Sequence, residues 1–286
     1  MTQKKKKKQA NFKIPRFIIQ IGKFLQIFSS TLTTRYVRFL FQKPIKHKMP
    51  LPERPLLTDV EMSSLEVPEI NKTIAVYKWG NGNKKALLVH GWSGRATQMY
   101  KIINALLAKN YTVYSFDGPA HGKSSGRTTM MPEFIKTVAK IAENYGKFDV
   151  AIGHSLGGIS TMNVQADKAP FDKIVVIGTP DSIKNIFHGF IQMLELKPKI
   201  AKKLIAVFEK ITGKDIESFH GSVNAEKIEA PTLIIHDDDD SEVAINDALN
   251  NYKHLKNGKL LRTKALGHNR ILKDEKVIDE IMTFIE

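Results

Sequence analysis

The feature that most constrains this chain is a serine bracketed by glycines, Gly153-His154-Ser155-Leu156-Gly157, set directly behind the apolar run Val150 to Ile152. In a G-x-S-x-G pattern the serine Oγ is exposed on a sharp turn from a strand into a helix, and a Cβ at either flanking glycine would crowd that turn. The surroundings suit it. A strand-like run, Phe148 to Ile152, precedes the serine, and a small-residue helical pattern, Leu156 to Ala166, follows it. A strand therefore ends and a helix begins at Ser155, which marks Ser155 as the candidate nucleophile.

The 286 residues allow a sizeable core, and the absence of cysteine excludes disulfide frameworks, thiolate metal sites and cysteine catalysis. The formal net charge of +15 is concentrated at one end. Residues 1–48 hold 13 basic groups and no acid, leaving 31 basic against 29 acidic groups in the remainder. A near-neutral body does not suit a polyanion groove, so nucleic acid is not an expected partner, and any anionic partner belongs to the N-terminal arm.

That arm opens with Lys4 to Lys8 and continues through Phe17 to Phe28, an apolar stretch interrupted by Lys23. It falls short of the roughly 20 residues needed to span a bilayer, and no small-residue cleavage site of a signal peptide follows. Two readings stay open. Interleaved basic and apolar residues suit an interfacial helix on an anionic membrane through residues 1–48. Alternatively, the apolar residues cover the body and the lysine run is simply solvated. The expected location is cytoplasmic, with membrane association through the arm.

Pro50, Pro52 and Pro55 mark the passage from the arm, residues 1–54, to a body over 55–286. Strand signals at Thr73 to Tyr77, Ala86 to Val89, Tyr111 to Phe116, Lys173 to Ile177, Pro231 to His236 and Lys259 to Arg262 join the one before Ser155. They alternate with helical patterns at Met99 to Leu107, Pro132 to Tyr145, Val243 to Tyr252 and Asp274 to Phe284. This rhythm predicts an α/β fold, a mostly parallel sheet with helices on both faces. It breaks over residues 180–222, where two apolar stripes at helical spacing, Ile186 to Leu194 and Ile200 to Ile211, predict an inserted helical cap.

Five segments in order carry a resemblance: His90-Gly91-Trp92, Asp117 to Ser124, the Ser155 turn, His236 to Asp240, and Gly267-His268-Asn269-Arg270. Together they resemble the α/β-hydrolase fold family, of the esterase- and lipase-like kind. The resemblance implies Ser155 as nucleophile, His268 as base and Asp240 as the acid that orients it, with the backbone N–H groups of Trp92 and Leu156 as oxyanion donors. Many relatives have His-Gly-x-x-Asp with a valine three residues on, and Val243 counts back to Asp240, although Asp237 stands where the glycine usually falls. Asp181 is the second candidate acid, since some relatives place theirs after the preceding strand. A metal site formed by Asp237, Asp238, Asp239 and Asp240 is the competing reading of that run, disfavoured because chain neighbours rarely converge on one ion.

The activity implied is cleavage of a carboxylic ester or related acyl bond through an acyl-enzyme, on lipid-like substrates, with no metal or organic cofactor. A thioesterase, a C–C hydrolase or an acyltransferase would present the same residues, and a non-catalytic binding protein on this fold is the rival from another class.

Overall fold

The computed structural model describes residues 14–286, so Lys4 to Lys8 and Lys13 of the basic arm lie outside the described residues. Eight strands form one sheet in the order β1-β2-β4-β3-β5-β6-β7-β8. They are β1 (Glu61–Val67), β2 (Lys72–Trp79), β3 (Lys84–Val89), β4 (Tyr111–Phe116), β5 (Phe148–His154), β6 (Phe171–Ile177), β7 (Thr232–Asp237) and β8 (Gly258–Thr263). β1 and β2 run antiparallel to their neighbours, and β3 to β8 are parallel to one another.

The helices are α1 (Arg16–Phe28), α2 (Ser30–Gln42), α3 (Tyr100–Ala108), α4 (Met131–Tyr145), α5 (Leu156–Lys168), α6 (Ile183–Met193), α7 (Lys199–Thr212), α8 (Gly221–Ala225), α9 (Ile245–His254), α10 (Gly267–Arg270) and α11 (Glu275–Ile285). Those facing the sheet divide between its two sides because each turns a single apolar stripe inward. Ile102, Ile103 and Leu106 of α3 join Val277 and Ile281 of α11 on one side. Phe134, Val138 and Ile141 of α4, Met162 of α5 and Ala248 of α9 fill the other.

The chain leaves β3 for β4 on one side and then crosses back to β5 on the other. At such a switch point the strand ends leave a crevice for a ligand. Register brings the ends together: Val89 pairs with Gly153, and His154 with Ile177. The loop after β3 and the Ser155 turn are thereby neighbours.

Between β6 and β7 the chain inserts α6 and α7, whose Phe187, Ile191, Leu204 and Phe208 form a third apolar cluster with Ile159 of α5. The sequence reading gives the arm one helix; it has two, broken at Ser29, whose Oγ accepts from Leu32 N at 3.3 Å to cap α2. Val37 of α2 is fully buried in the third cluster, with Tyr36, Leu40 and Phe41 packed beside it. The antiparallel edge strand β1 is not anticipated by the sequence pattern either. Only Leu65 and Val67 of it are buried, so it carries too little alternation to register as a strand.

Because Val37 has no room for a hydrated carboxylate, Val37→Asp should lift α2 from α7. The expected outcome is cleavage between residues 29 and 50 at least about tenfold faster than in the parent under limited proteolysis, since a detached α2 samples the open state far more often. An unchanged digestion pattern would show that α2 does not depend on this contact.

Candidate active site

Ser155 sits at φ 52° and ψ −117°, a conformation that a non-glycine residue adopts only when its surroundings enforce it. The enforcement is visible on both sides. Ser155 N donates to Ile177 O at 2.9 Å, tying the turn to β6. A Cβ on Gly153 would approach Gly157 O to 2.6 Å, and one on Gly157 would collide with Val89 O of β3. Both flanking glycines are therefore required by backbone contact, as the sequence pattern anticipates. The Ser155 residue itself is half-buried, at the mouth of the crevice.

His268 lies in the first turn of α10, beyond the end of β8, and its Nδ1–H donates to Asp240 Oδ2 at 2.6 Å. The other Asp240 oxygen accepts from Glu242 N at 2.8 Å and Val243 N at 3.0 Å, which locks the carboxylate. Burial pushes the Asp240 carboxyl up, but the hydrogen bond and charge of His268 and the two backbone donors outweigh it and hold it below the usual carboxylate value. For His268 burial works downward, and the bond and charge of Asp240, helped by Glu242, more than offset it. Its imidazole therefore holds a proton to higher pH than an ordinary histidine. Gly178, which follows β6 at φ 58°, leaves space for this ring, since a Cβ there would come within 3.2 Å of it.

The other aspartates of the run are taken up separately. Asp237 accepts from Thr263 Oγ1, Leu266 N and Asp239 N; Asp238 pairs with Arg262 Nε at 2.9 Å; Asp239 accepts from Ala265 N at 3.1 Å. Asp237 and Asp239 thus hold the loop that delivers His268. Asp181 binds Ser222 N at 2.7 Å and Asn250 Nδ2 at 2.5 Å, and makes no contact with His268.

The loop after β3 is shaped by two buried neutral histidines. His90 Nδ1–H donates to Gly91 O at 2.6 Å while Nε2 accepts from Gly118 N at 2.8 Å. His121 Nδ1–H donates to Pro119 O at 2.9 Å, and its Nε2 accepts from Ser93 N at 2.9 Å. Burial lowers both, His121 to about 3, and these bonds need the uncharged ring. Among the described residues the backbone N–H groups of Trp92 and Leu156 have no partner, so two donors at adjacent strand ends are left unengaged. Above them Phe41 of α2 lies 6.3 Å from the Trp92 ring and 4.8 Å and 5.2 Å from Phe187 and Phe190 of α6.

Two contributors escape a reading of the sequence. His154 carries its ring 4.7 Å from that of His268, and its Nε2–H donates to the His268 carbonyl at 3.0 Å. Burial, and then the charge of His268, lower it to about 3, so it supports its neighbour as a neutral ring. Glu242 places Oε2 3.8 Å from His268 Nε2. No spacing rule pairs either residue with His268.

A mostly parallel sheet with a serine on a strained elbow after β5 and a histidine–aspartate pair in the loops after β8 and β7 defines a protein of the hydrolase-like α/β class. The sequence pattern of the Alpha/beta hydrolase family matches residues 86–212. Among solved structures, an esterase from Pyrococcus furiosus superposes with a TM-score of 0.66 at 18–19% identity in its two crystal forms, covering 85% of this chain and 97–98% of that one. A bacterial membrane phospholipase A superposes with a TM-score of 0.62 at 18% identity, covering 94% of this chain and 96% of that one. The chain has the α/β-hydrolase fold, and its residues 86–212 resemble that family in sequence. A pimeloyl-[acyl-carrier protein] methyl ester esterase of Salmonella newport is 33% identical over 81 residues, which is 28% of this chain and 30% of that relative's length.

Glu242→Gln removes one of the charges that raise His268, so the midpoint of the His268 ring titration, followed by NMR, should move to lower pH. Because Glu242 is more than half exposed, the shift should shrink as salt screens the pair. A midpoint that stays in place would show that His268 does not sense this carboxylate.

Proposed function

We propose that the protein is a serine hydrolase that cleaves a carboxylic ester, or a related acyl bond, through an acyl-enzyme. The observation that carries this reading is the 2.6 Å bond from His268 Nδ1 to Asp240, with the His268 ring 4.7 Å from that of His154, the residue just before a serine presented on a strained elbow. With Nδ1 committed to Asp240, the Nε2 nitrogen is the one free to take the proton of Ser155 Oγ. The Oγ then attacks the acyl carbonyl carbon, and the negative charge that develops on its oxygen is met by the N–H groups of Trp92 and Leu156. Collapse breaks the bond to the leaving oxygen, which receives the proton from His268 and departs as an alcohol. Water then gives a proton to His268 and attacks the acyl-enzyme, and Ser155 recovers its proton as the acid leaves. Asp240 stays ionised throughout and stabilises the imidazolium that forms each time His268 has taken up a proton.

An apolar acyl group is favoured as substrate. Phe41 stacks beside Trp92 and is backed edge-on by Phe187 and Phe190, so the neighbourhood of Trp92 on this side is aromatic and uncharged, and α6 and α7 act as the cap. The esterase and phospholipase functions carried in the names of the similar proteins are in keeping with this chemistry.

Ser155→Ala should abolish labelling by a fluorophosphonate probe and lower p-nitrophenyl ester turnover by on the order of 10⁴ or more, because such residues act as a unit. Asp240→Asn should lose a similar factor, and Asp181→Asn much less. Undiminished hydrolysis by folded Ser155→Ala protein would overturn the proposal, and a larger loss at Asp181 would move the acid.

A further inference from the structure

Helix α1 is apolar on both of its faces, and only one of them is covered. Its inner face packs on the protein: Ile18 and Ile19 join the third apolar cluster, and Gly22 is buried, with room for a Cβ only 3.4 Å from Leu196. Polar contacts reinforce this seat. Tyr36 Oη donates to Ile18 O at 3.0 Å, Lys197 N donates to Gln26 Oε1 at 2.7 Å, and Lys23 pairs with Glu195. On the outer face Phe17 is 65% exposed, Ile21 43%, Phe24 61% and Phe28 70%. At 3.6 residues per turn these four fall within an arc of about 60°. A rigidly held stripe of this kind is rare on the free surface of a monomer and marks an interaction site.

The charge around the stripe identifies what covers it. The described arm carries Arg16, Arg35, Arg38, Lys43, Lys46 and Lys48, and no acid occurs in the chain before Glu53. Lys199, Lys202, Lys203 and Lys210 of α7, the helix on which α2 packs, extend the basic surface. Among the described residues none of these side chains enters a salt bridge. Five consecutive lysines, Lys4 to Lys8, add to the same end of the sequence. An apolar stripe with a cationic surround complements the surface of an anionic lipid bilayer, where rings enter the acyl boundary and Lys and Arg meet headgroups. A second copy of this chain would instead set basic surface against basic surface. Spanning is not the mode: among the described residues no helix is long and apolar enough to cross a membrane.

We propose that the α1–α2 hairpin docks the protein on anionic membranes, with α1 lying in the interface and Phe17, Ile21, Phe24 and Phe28 inserted. Because Phe41 at the other end of the hairpin touches Trp92 and α6, docking would bring the bilayer to the same helical unit that roofs the candidate active site.

The test is flotation of the full-length protein with vesicles of phosphatidylcholine alone or mixed with phosphatidylglycerol, at low and high salt. The expected result is at least about tenfold greater partitioning onto the anionic vesicles, reduced but not abolished by salt, because the inserted rings are not screened. The triple variant Phe17→Glu, Phe24→Glu, Phe28→Glu should lose at least about tenfold in partitioning, with soluble-ester turnover unchanged. Phe24→Trp provides a second readout in a conservatively altered chain: the emission of the introduced indole should shift to the blue on anionic vesicles and be quenched by brominated acyl chains. Failure of the parent protein to float, equal flotation of the triple variant, or an unshifted emission from the Phe24→Trp variant would each overturn the proposal. So would light scattering that showed a dimer dissolved by the triple variant without vesicle binding, since the stripe would then join two copies.

Discussion

The site depends on one close approach of backbone to backbone. Gly157 lies against the carbonyl of Val89, so the first turn of α5 is pressed onto the end of β3. That single contact does two things. It forces Ser155 into a left-handed conformation, at a strain of about 1–3 kcal/mol that the flanking ladders must carry. It also sets the loop after β3 beside the N-terminus of α5, so that the Trp92 and Leu156 N–H groups are left as neighbours at one strand end. Ser155 and these two N–H groups are positioned by the same constraint and cannot drift apart independently.

Around this turn the protein sorts its histidines by environment. His90, His121 and His154 are buried among backbone partners and are held neutral, each serving as a bracket between segments of the site. His268, equally buried, faces a locked carboxylate and moves the other way. The arrangement is consistent, because a charged His154 ring 4.7 Å from His268 would oppose protonation of its neighbour. His268, raised beside the lowered rings of His90, His121 and His154, is the favoured resting place among these four for a proton.

Much of this was legible in the residues. Strands β2 to β8 fall within two residues of their expected limits, because each is a short run of apolar and β-branched residues bounded by turn signals. The elbow was legible because its glycines answer to backbone contact, which a local pattern records. The partner of His268 was legible only through the family resemblance, which counts back from Val243 to Asp240. Asp181 and Asp240 both follow strands, and only tertiary contacts separate them: the loop after β6 meets α8 and α9, where Ser222 and Asn250 occupy Asp181. The arm was half legible for a similar reason. Its amphipathic character is in the sequence, but α1 has two apolar faces, and which one is covered depends on Leu196 and Tyr36, far away in the chain or in the next helix.

The two open edges of the sheet carry a further consequence. On β1 the exposed residues include Glu61, Ser63, Ser64 and Glu66, and on β8 they include Lys259 and Arg262. A strand from another molecule added to either edge would have to lie alongside these charges, which is how natural sheets avoid polymerising through their margins. Molecules gathered at high density on a two-dimensional surface would meet edge to edge far more often than in free solution. On such a surface the charged margins would oppose joining of neighbouring molecules into a continuous β-film.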